Sequence, residues 1–189
     1  MKRNIFDSKS KENKLLVLCS SCIMGLLLLL FSILYIIYDK TAYLSAAITF
    51  GTMLYHFLMR LSVGYLTMKY IYPRLNYNSR WFRTSSAERK IYSIIKVRKW
   101  KVFMPTANPE SFSLKKHTPE EIAKTMCGSE VVHELNILFS FMPLFLAIPF
   151  GTFSVFLITS VAAALADLPF VIMQRFNRPR LLRFASRQK

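Results

Sequence analysis

The chain has 189 residues, of which 53% are hydrophobic, and its mean hydropathy is +0.30, yet 26 Lys and Arg stand against 10 Asp and Glu for a formal net charge of +16. A soluble protein this basic usually spreads its charge over a nucleic-acid-binding face. Here charge and apolar residues are segregated into blocks, which excludes a disordered basic tail protein and points to a membrane protein with basic flanks. Cys19, Cys22 and Cys127 imply no disulfide framework. The C-x-x-C of Cys19 and Cys22 falls inside an apolar run, where packing is expected rather than redox or zinc chemistry.

Residues 1–14 carry Lys2, Arg3, Lys9, Lys11 and Lys14 and are expected to form a basic cytoplasmic N-terminus. Leu15 to Tyr38 has no formal charge. At about 1.5 Å per residue it is long enough to cross a hydrocarbon core of about 30 Å. It is too long for a signal-peptide h-region and no small-x-small site follows, so an uncleaved helix is expected. Asp39 and Lys40 make a short turn, and the second apolar block, Ala42 to Met68, contains His56 and Arg60. Residues 15–68 are thus read as two transmembrane helices. From Lys69 to Ser129 thirteen basic residues stand against four acidic ones, which marks 69–129 as a cytoplasmic interfacial segment. Apolar blocks from Val131 to Phe150 and from Thr152 to Met173, divided by Gly151, predict two further spans within 130–174, and 175–189 is read as a basic cytoplasmic tail.

The fold class expected is therefore an all-α integral membrane protein. It has about four transmembrane helices, with a basic and aromatic interfacial segment between the second and third. Every basic cluster falls on one side if both termini are cytoplasmic, as the positive-inside rule requires of a multi-pass protein of the cell membrane.

In the middle segment Tyr70, Tyr72, Tyr77, Trp81, Phe82, Tyr92, Trp100 and Phe103 interleave with arginines and lysines. Rings at headgroup level and cations drawn to anionic lipid give a pair of interfacial helices; the functional alternative is a cytoplasm-facing pocket for an anionic donor or lipid headgroup. Nucleic-acid binding shares this signature, but the adjacent spans account for it and no nucleic acid partner is expected. Ile94 to Met104 alternates apolar and basic residues, as either a short strand or an amphipathic surface helix would. Thr118-Pro119-Glu120-Glu121 predicts a helix start, with Thr as N-cap, Pro at the first position and Glu at the third.

Ionisable groups within a bilayer cost about 2.5–3.5 kcal/mol each on insertion scales, which makes them functional candidates. His56 and Arg60 share a helix face. Ser129, Glu130, His133, Glu134, Asn136 and Ser140 line the approach to the third span, and the i,i+3 spacing lets Glu130 orient the His133 imidazole. A neutral histidine so held can take a proton from a substrate hydroxyl; an interhelical polar staple is the structural alternative. His133-Glu134 is not a zinc-protease motif, because Ile137 stands where the second His is needed, and no metal site is expected. Asp167 lies in the last turns of the fourth span and needs a partner, and Pro169 frees a carbonyl there. Gln174, Arg175, Asn177, Arg178 and Arg180 are denser than topology requires and suit a carboxylate, phosphate or sugar. No nucleophile elbow, P-loop or His-x4-Asp acyltransferase pattern is present.

Val97-Arg98-Lys99-Trp100-Lys101, Glu130-x-x-His133, and Leu168-Pro169 leading into Gln174-Arg175-Phe176-Asn177-Arg178-Pro179-Arg180-Leu181 together resemble glycosyl-4,4′-diaponeurosporenoate acyltransferase over roughly Ile94 to Leu182. That family esterifies a fatty acyl group to a sugar hydroxyl in staphyloxanthin-type carotenoid synthesis. Two departures stand out: Phe176 where the carotenoid enzyme has Tyr, and Asp167 where it has Asn.

The resemblance implies a membrane acyltransferase for a glycosylated lipid, with direct transfer and no covalent enzyme intermediate. His133 would be the base and Glu130 its orienting carboxylate. Gln174, Arg175, Asn177, Arg178 and Arg180, together with Glu134 and Asp167, would bind substrate, and Arg98, Lys99 and Trp100 would form the opposite wall. No bound cofactor is implied; an acyl thioester, acyl-CoA or acyl carrier protein, would be the co-substrate. The alternatives are a non-enzymatic lipid-binding or scaffold protein, and a transporter centred on His56 and Arg60. The sequence leaves the acceptor, the acyl donor and the oligomeric state open.

Overall fold

The computed structural model describes residues 2–106 and 109–187; Lys189, the last basic residue of the tail, lies outside them. It is all-helical, 85% helix, with no strand among the described residues. Ile94 to Met104 accordingly resolves to helical turns. The α-helices are α1 (Lys2–Tyr38), α2 (Thr41–Leu66), α3 (Ser86–Ile94), α4 (Val97–Trp100), α5 (Pro119–Phe139), α6 (Ala147–Phe150) and α7 (Phe153–Ser186). Four stretches are long and apolar enough to cross a membrane: Val17–Tyr38, Thr41–Arg74, Pro119–Phe150 and Phe153–Ser186. Their outward faces carry Leu26, Leu29, Ile36, Ile148 and Phe145, exposed apolar side chains that suit a lipid solvent.

The boundaries differ from those read off hydropathy. Helix α5 begins at Pro119, so Glu130, His133 and Glu134 sit in its middle rather than at its start. Thr118 explains this: its hydroxyl accepts from the Glu121 N–H at 3.2 Å while the Glu121 carboxylate accepts from the Thr118 N–H at 2.9 Å, a complete capping box. The helix stops at Phe139, and the apolar run continues as a tighter turn over Met142–Leu146 before α6. At the other end, α7 passes through both Pro169 and Pro179 to Ser186, so most of the basic tail is helix.

The chain forms two compact units. The first comprises Met1–Ser62 and Asn136–Leu165. Asp39, in the left-handed region at φ 48°, turns the chain between α1 and α2, and Phe31 stacks on Phe50 with centroids 5.4 Å apart. A Cβ on Gly51 would sit 3.4 Å from Leu28 Cδ1, so the missing side chain permits close approach there. Arg60 donates to the carbonyls of His56 (3.2 Å) and Ala163 (2.9 Å), and the Tyr55 hydroxyl donates to the Phe139 carbonyl at 2.9 Å. The bonds to Ala163 and Phe139 are the helix-to-helix ties expected of polar groups in lipid, and the one to His56 stays within α2. Cys19 and Cys22 are exposed on α1 rather than packed, because the stretch from Leu15 to Tyr38 is uncharged all round and cannot bury all its faces.

The second unit comprises Val63–Leu135 and Ala166–Lys189. Beyond α2 the helix widens over Thr67–Ile71 and tightens over Tyr72–Arg74. Ser85 caps α3 through a second capping box with Glu88. Lys96, left-handed at φ 52°, reverses the chain into α4. Tyr92, Val97 and Phe176 form a small core flanked by Trp100 and Ile172, with the Tyr92 and Phe176 rings edge to face at 6.2 Å.

Candidate functional site

The chemistry-bearing residues gather in the second unit, where α5 and the C-terminal part of α7 run antiparallel. Three ties join them: His133 to Asp167, Ser129 to Gln174, and Glu130 to Arg175 and Arg178. Moving towards the N-terminus of α5 therefore moves towards the C-terminus of α7.

His133 is held by Asp167, not by Glu130. Its Nδ1 lies 2.7 Å from Asp167 Oδ1, and the imidazole stacks on Phe170 with centroids 4.6 Å apart and planes 9° from parallel. The Asp167 side chain is 5% exposed and that of His133 is 21% exposed. With Asp167 ionised, Nδ1 carries the proton and donates, which leaves the Nε2 lone pair as the basic position. The carboxylate thus holds the ring from its Nδ1 side, and Phe170 sets its plane.

Glu130 is fully buried and is committed to the guanidinium groups. Arg175 Nη1 donates to Glu130 Oε1 at 2.8 Å and Arg178 Nη1 to Oε2 at 2.5 Å. Neither partner is optional: a buried carboxylate without compensating charge costs several kcal/mol. Two guanidinium groups outcompete a neutral imidazole for it, which is why the i,i+3 pairing with His133 does not form. Arg178 is also buried, and its Nη2 donates to the Phe82 carbonyl while Nη1 reaches the Cys127 sulfur at 3.4 Å.

Arg175 is shared among carboxylates. Beyond Glu130, its Nε lies 2.8 Å from Glu88 Oε1, its Nη1 lies 3.5 Å from Glu134 Oε1, and its Nη2 donates to the Trp81 carbonyl at 3.1 Å. Trp81 in turn donates from Nε1 to Glu134 at 3.0 Å. Burial would raise the Glu88 carboxyl, but the Ser85 N–H and the Arg175 charge outweigh it and hold Glu88 below the usual glutamate range. Burial, then Glu88, push the Tyr92 phenol up to about 12. Pro179 lacks the N–H that would bind the Arg175 carbonyl, and the Thr84 hydroxyl donates to that carbonyl at 3.0 Å instead.

The remaining expected residues divide. Asn177 accepts from Lys101 Nζ at 2.6 Å, Gln174 donates to the Ser129 hydroxyl at 3.2 Å, and Trp100 donates to the Ile95 carbonyl at 3.1 Å. Arg178 and most of the Arg175 head are likewise occupied by the protein. Arg98, Lys99 and Arg180 instead line one open groove with Arg89, which the basic and aromatic pattern of the middle segment included, and with Lys96, which it did not single out. Glu88 and Thr84 were also missed. Glu88 carries a sequence signal, the Ser-x-x-Glu of a capping box, whereas Thr84 becomes visible only through its long-range bond to α7.

No curated protein and no solved structure matches the chain. Residues 78–187 match the family described as glycosyl-4,4′-diaponeurosporenoate acyltransferase. That match covers more than half of the chain, including α3 to α5 and the part of α7 that holds Asp167 and the arginines. The chain therefore belongs to the glycosyl-4,4′-diaponeurosporenoate acyltransferase family.

Proposed function

We propose that the protein is a membrane acyltransferase that esterifies a sugar hydroxyl of a glycosylated lipid at the cytoplasmic surface of the cell membrane. The observation that carries the reading is the His133–Asp167 pair, an imidazole held by a carboxylate in the segment that matches the family. The acceptor hydroxyl gives its proton to His133 Nε2 as its oxygen attacks the carbonyl of an acyl thioester. The tetrahedral oxyanion collapses, the C–S bond breaks, and the departing thiolate takes the proton back from the imidazolium. Asp167 stabilises that imidazolium and is not itself protonated. Glu130, Arg175 and Arg178 brace α5 against α7 so that the ring keeps its place. The basic flanks support a topology with both termini on the cytoplasmic side.

The scaffold reading draws on the same buried ion pairs, which would tie helices in a non-catalytic protein as well. Lipid mass spectrometry of cells with wild type, His133→Gln or no gene separates the two. Acyl transfer requires an acyl-sized mass shift on a glycolipid with wild type alone, at equal protein level. Equal lipid profiles in cells that make candidate acceptors would overturn it.

A further inference from the structure

A groove of about 310 Å³ in the second unit is lined by Arg89, Lys96, Arg98, Lys99 and Arg180, with Tyr92, Ser93 and Phe176 completing its wall. No carboxylate lines it, and among the described residues none of these five cations forms an ion pair. The contrast with Arg175 is direct, since that arginine meets Glu88, Glu130 and Glu134. Basic flanks of membrane spans ordinarily fan outwards and snorkel to headgroups. Here the cations arrive from four segments: Arg89 from α3, Lys96 from the left-handed turn, Arg98 and Lys99 from α4, and Arg180 from α7.

Their arrangement is partly fixed beforehand. The Arg180 guanidinium lies 3.5 Å from the centroid of the buried Phe176 ring, a stacked geometry that leaves its edge N–H groups to a ligand. A non-glycine residue at φ 52° is uncommon, and Lys96 adopts it where the chain must fold α4 back beside α3. Converging like charges repel, and a multiply charged anion offsets that repulsion. Lys101, beside the groove, is held below the usual lysine range by burial and then by Arg180 and Arg98. A second hollow of about 140 Å³ shares Arg89, Tyr92, Phe176 and Arg180 with the first and extends to Thr84 and Arg175. The two hollows thus share a wall, and the second reaches Arg175, one of the residues that tie α5 to α7.

We propose that this groove is a polyphosphate site that holds the clustered phosphates of the acyl donor, a coenzyme A thioester. The assignment deepens the acyl-transfer reading and rests on it for the donor's identity, but not for the chemistry of recognition. Five unpaired cations on a concave wall suit the phosphates of a small molecule, and arginine edges suit phosphate oxygens in particular.

The test is calorimetric titration of coenzyme A into the full chain in zwitterionic nanodiscs, which needs no turnover. Binding is expected with wild type, and Arg89→Gln and the double variant Arg98→Gln/Lys99→Gln should each weaken it at least about tenfold. His133→Gln and Lys115→Gln, at an exposed lysine that does not line the groove, should leave it unchanged, and removal of the 3′-phosphate from the probe should weaken it. Absence of binding by wild type, or binding that survives both groove variants, overturns the proposal. So does the finding that anionic nanodiscs abolish coenzyme A binding while the variants lose retention on anionic vesicles, because lipid headgroups then occupy the groove. The two readings fail separately. If His133→Gln stops transfer but coenzyme A ignores the groove, the groove assignment falls alone. If coenzyme A binds the groove while His133→Gln transfers normally, the His133 mechanism falls alone.

Discussion

The imidazole of His133 and the carboxylate of Asp167, 34 residues apart in sequence, meet with Nδ1 and Oδ1 2.7 Å apart. The pair sets a graded expectation. His133→Gln should reduce transfer by about 10²- to 10⁴-fold, the usual contribution of a positioned general base. Asp167→Ala removes the group that holds the imidazole, and a loss of at least about tenfold is expected at unchanged protein level, whereas Asp167→Asn, the residue the carotenoid enzyme carries there, keeps an acceptor for Nδ1 and should lose less. Time courses of product in membranes, normalised to protein, check both variants; full activity in Asp167→Ala would detach the side chain from the mechanism.

Arg178 and Glu130 are both buried; removing Glu130 strands the Arg178 charge without a carboxylate, and removing Arg178 leaves Glu130 with Arg175 alone and one oxygen uncompensated. Arg178→Met should therefore lower stability by about 3–5 kcal/mol, and Glu130→Gln should also be costly. The double variant should lose less than the sum of the two, since neither charge is then stranded. Thermal unfolding followed by tryptophan fluorescence in detergent reads all three, and strict additivity would contradict the pairing.

Glu88 fixes the sign of an acid dependence. Its carboxyl titrates below the usual range in the folded chain, because the Ser85 N–H and Arg175 favour the charged form beyond the cost of burial. The unfolded chain then binds the proton first as pH falls. The Glu88 contribution is complete above the ordinary glutamate value, near pH 4.3, and fades as pH drops through the lower folded value. Glu88→Gln should flatten this acid limb in thermal unfolding runs from pH 6 to pH 3; an unchanged slope would mean that Glu88 is not held in the charged form.

Gly128 faces the Tyr72 ring. A Cβ there would stand 2.7 Å from Tyr72 Cδ2, closer than real contacts permit. Gly128→Ala gains helix propensity, worth about 1 kcal/mol, but must displace a ring whose hydroxyl lies 3.3 Å from Thr125 Oγ1. Overpacking of this kind costs about 1–3 kcal/mol, so a net fall in melting temperature is expected. Pairing it with Tyr72→Leu should recover part of the loss; a rise in the single variant would show that the ring moves freely.

Hydropathy made the four apolar spans legible, and Thr118-Pro119 marked where α5 begins. The extent of α7 was harder to read, because Pro169 and Pro179 look like stops until their neighbours are known. At the site, Glu130, His133 and Asp167 stood out as ionisable groups in apolar surroundings, yet their partners could not be assigned. Helix spacing offers Glu130 to His133, and only the antiparallel placement of α5 and α7 brings the arginines to Glu130 and Asp167 to the imidazole. Arg89 belonged to the interleaved basic and aromatic pattern, but nothing in the sequence separated it from its neighbours, and Lys96 gave no local signal.

The bond from the Thr84 hydroxyl to the Arg175 carbonyl exists because Pro179 leaves that carbonyl without its helical donor. Positions 84 and 179 are therefore bound to drift as a pair among descendants of this chain. A lineage that exchanges the proline for alanine closes its own backbone ladder and no longer needs a hydroxyl in the loop. One that loses the hydroxyl first leaves a half-buried oxygen unanswered and is under pressure to give up the proline next.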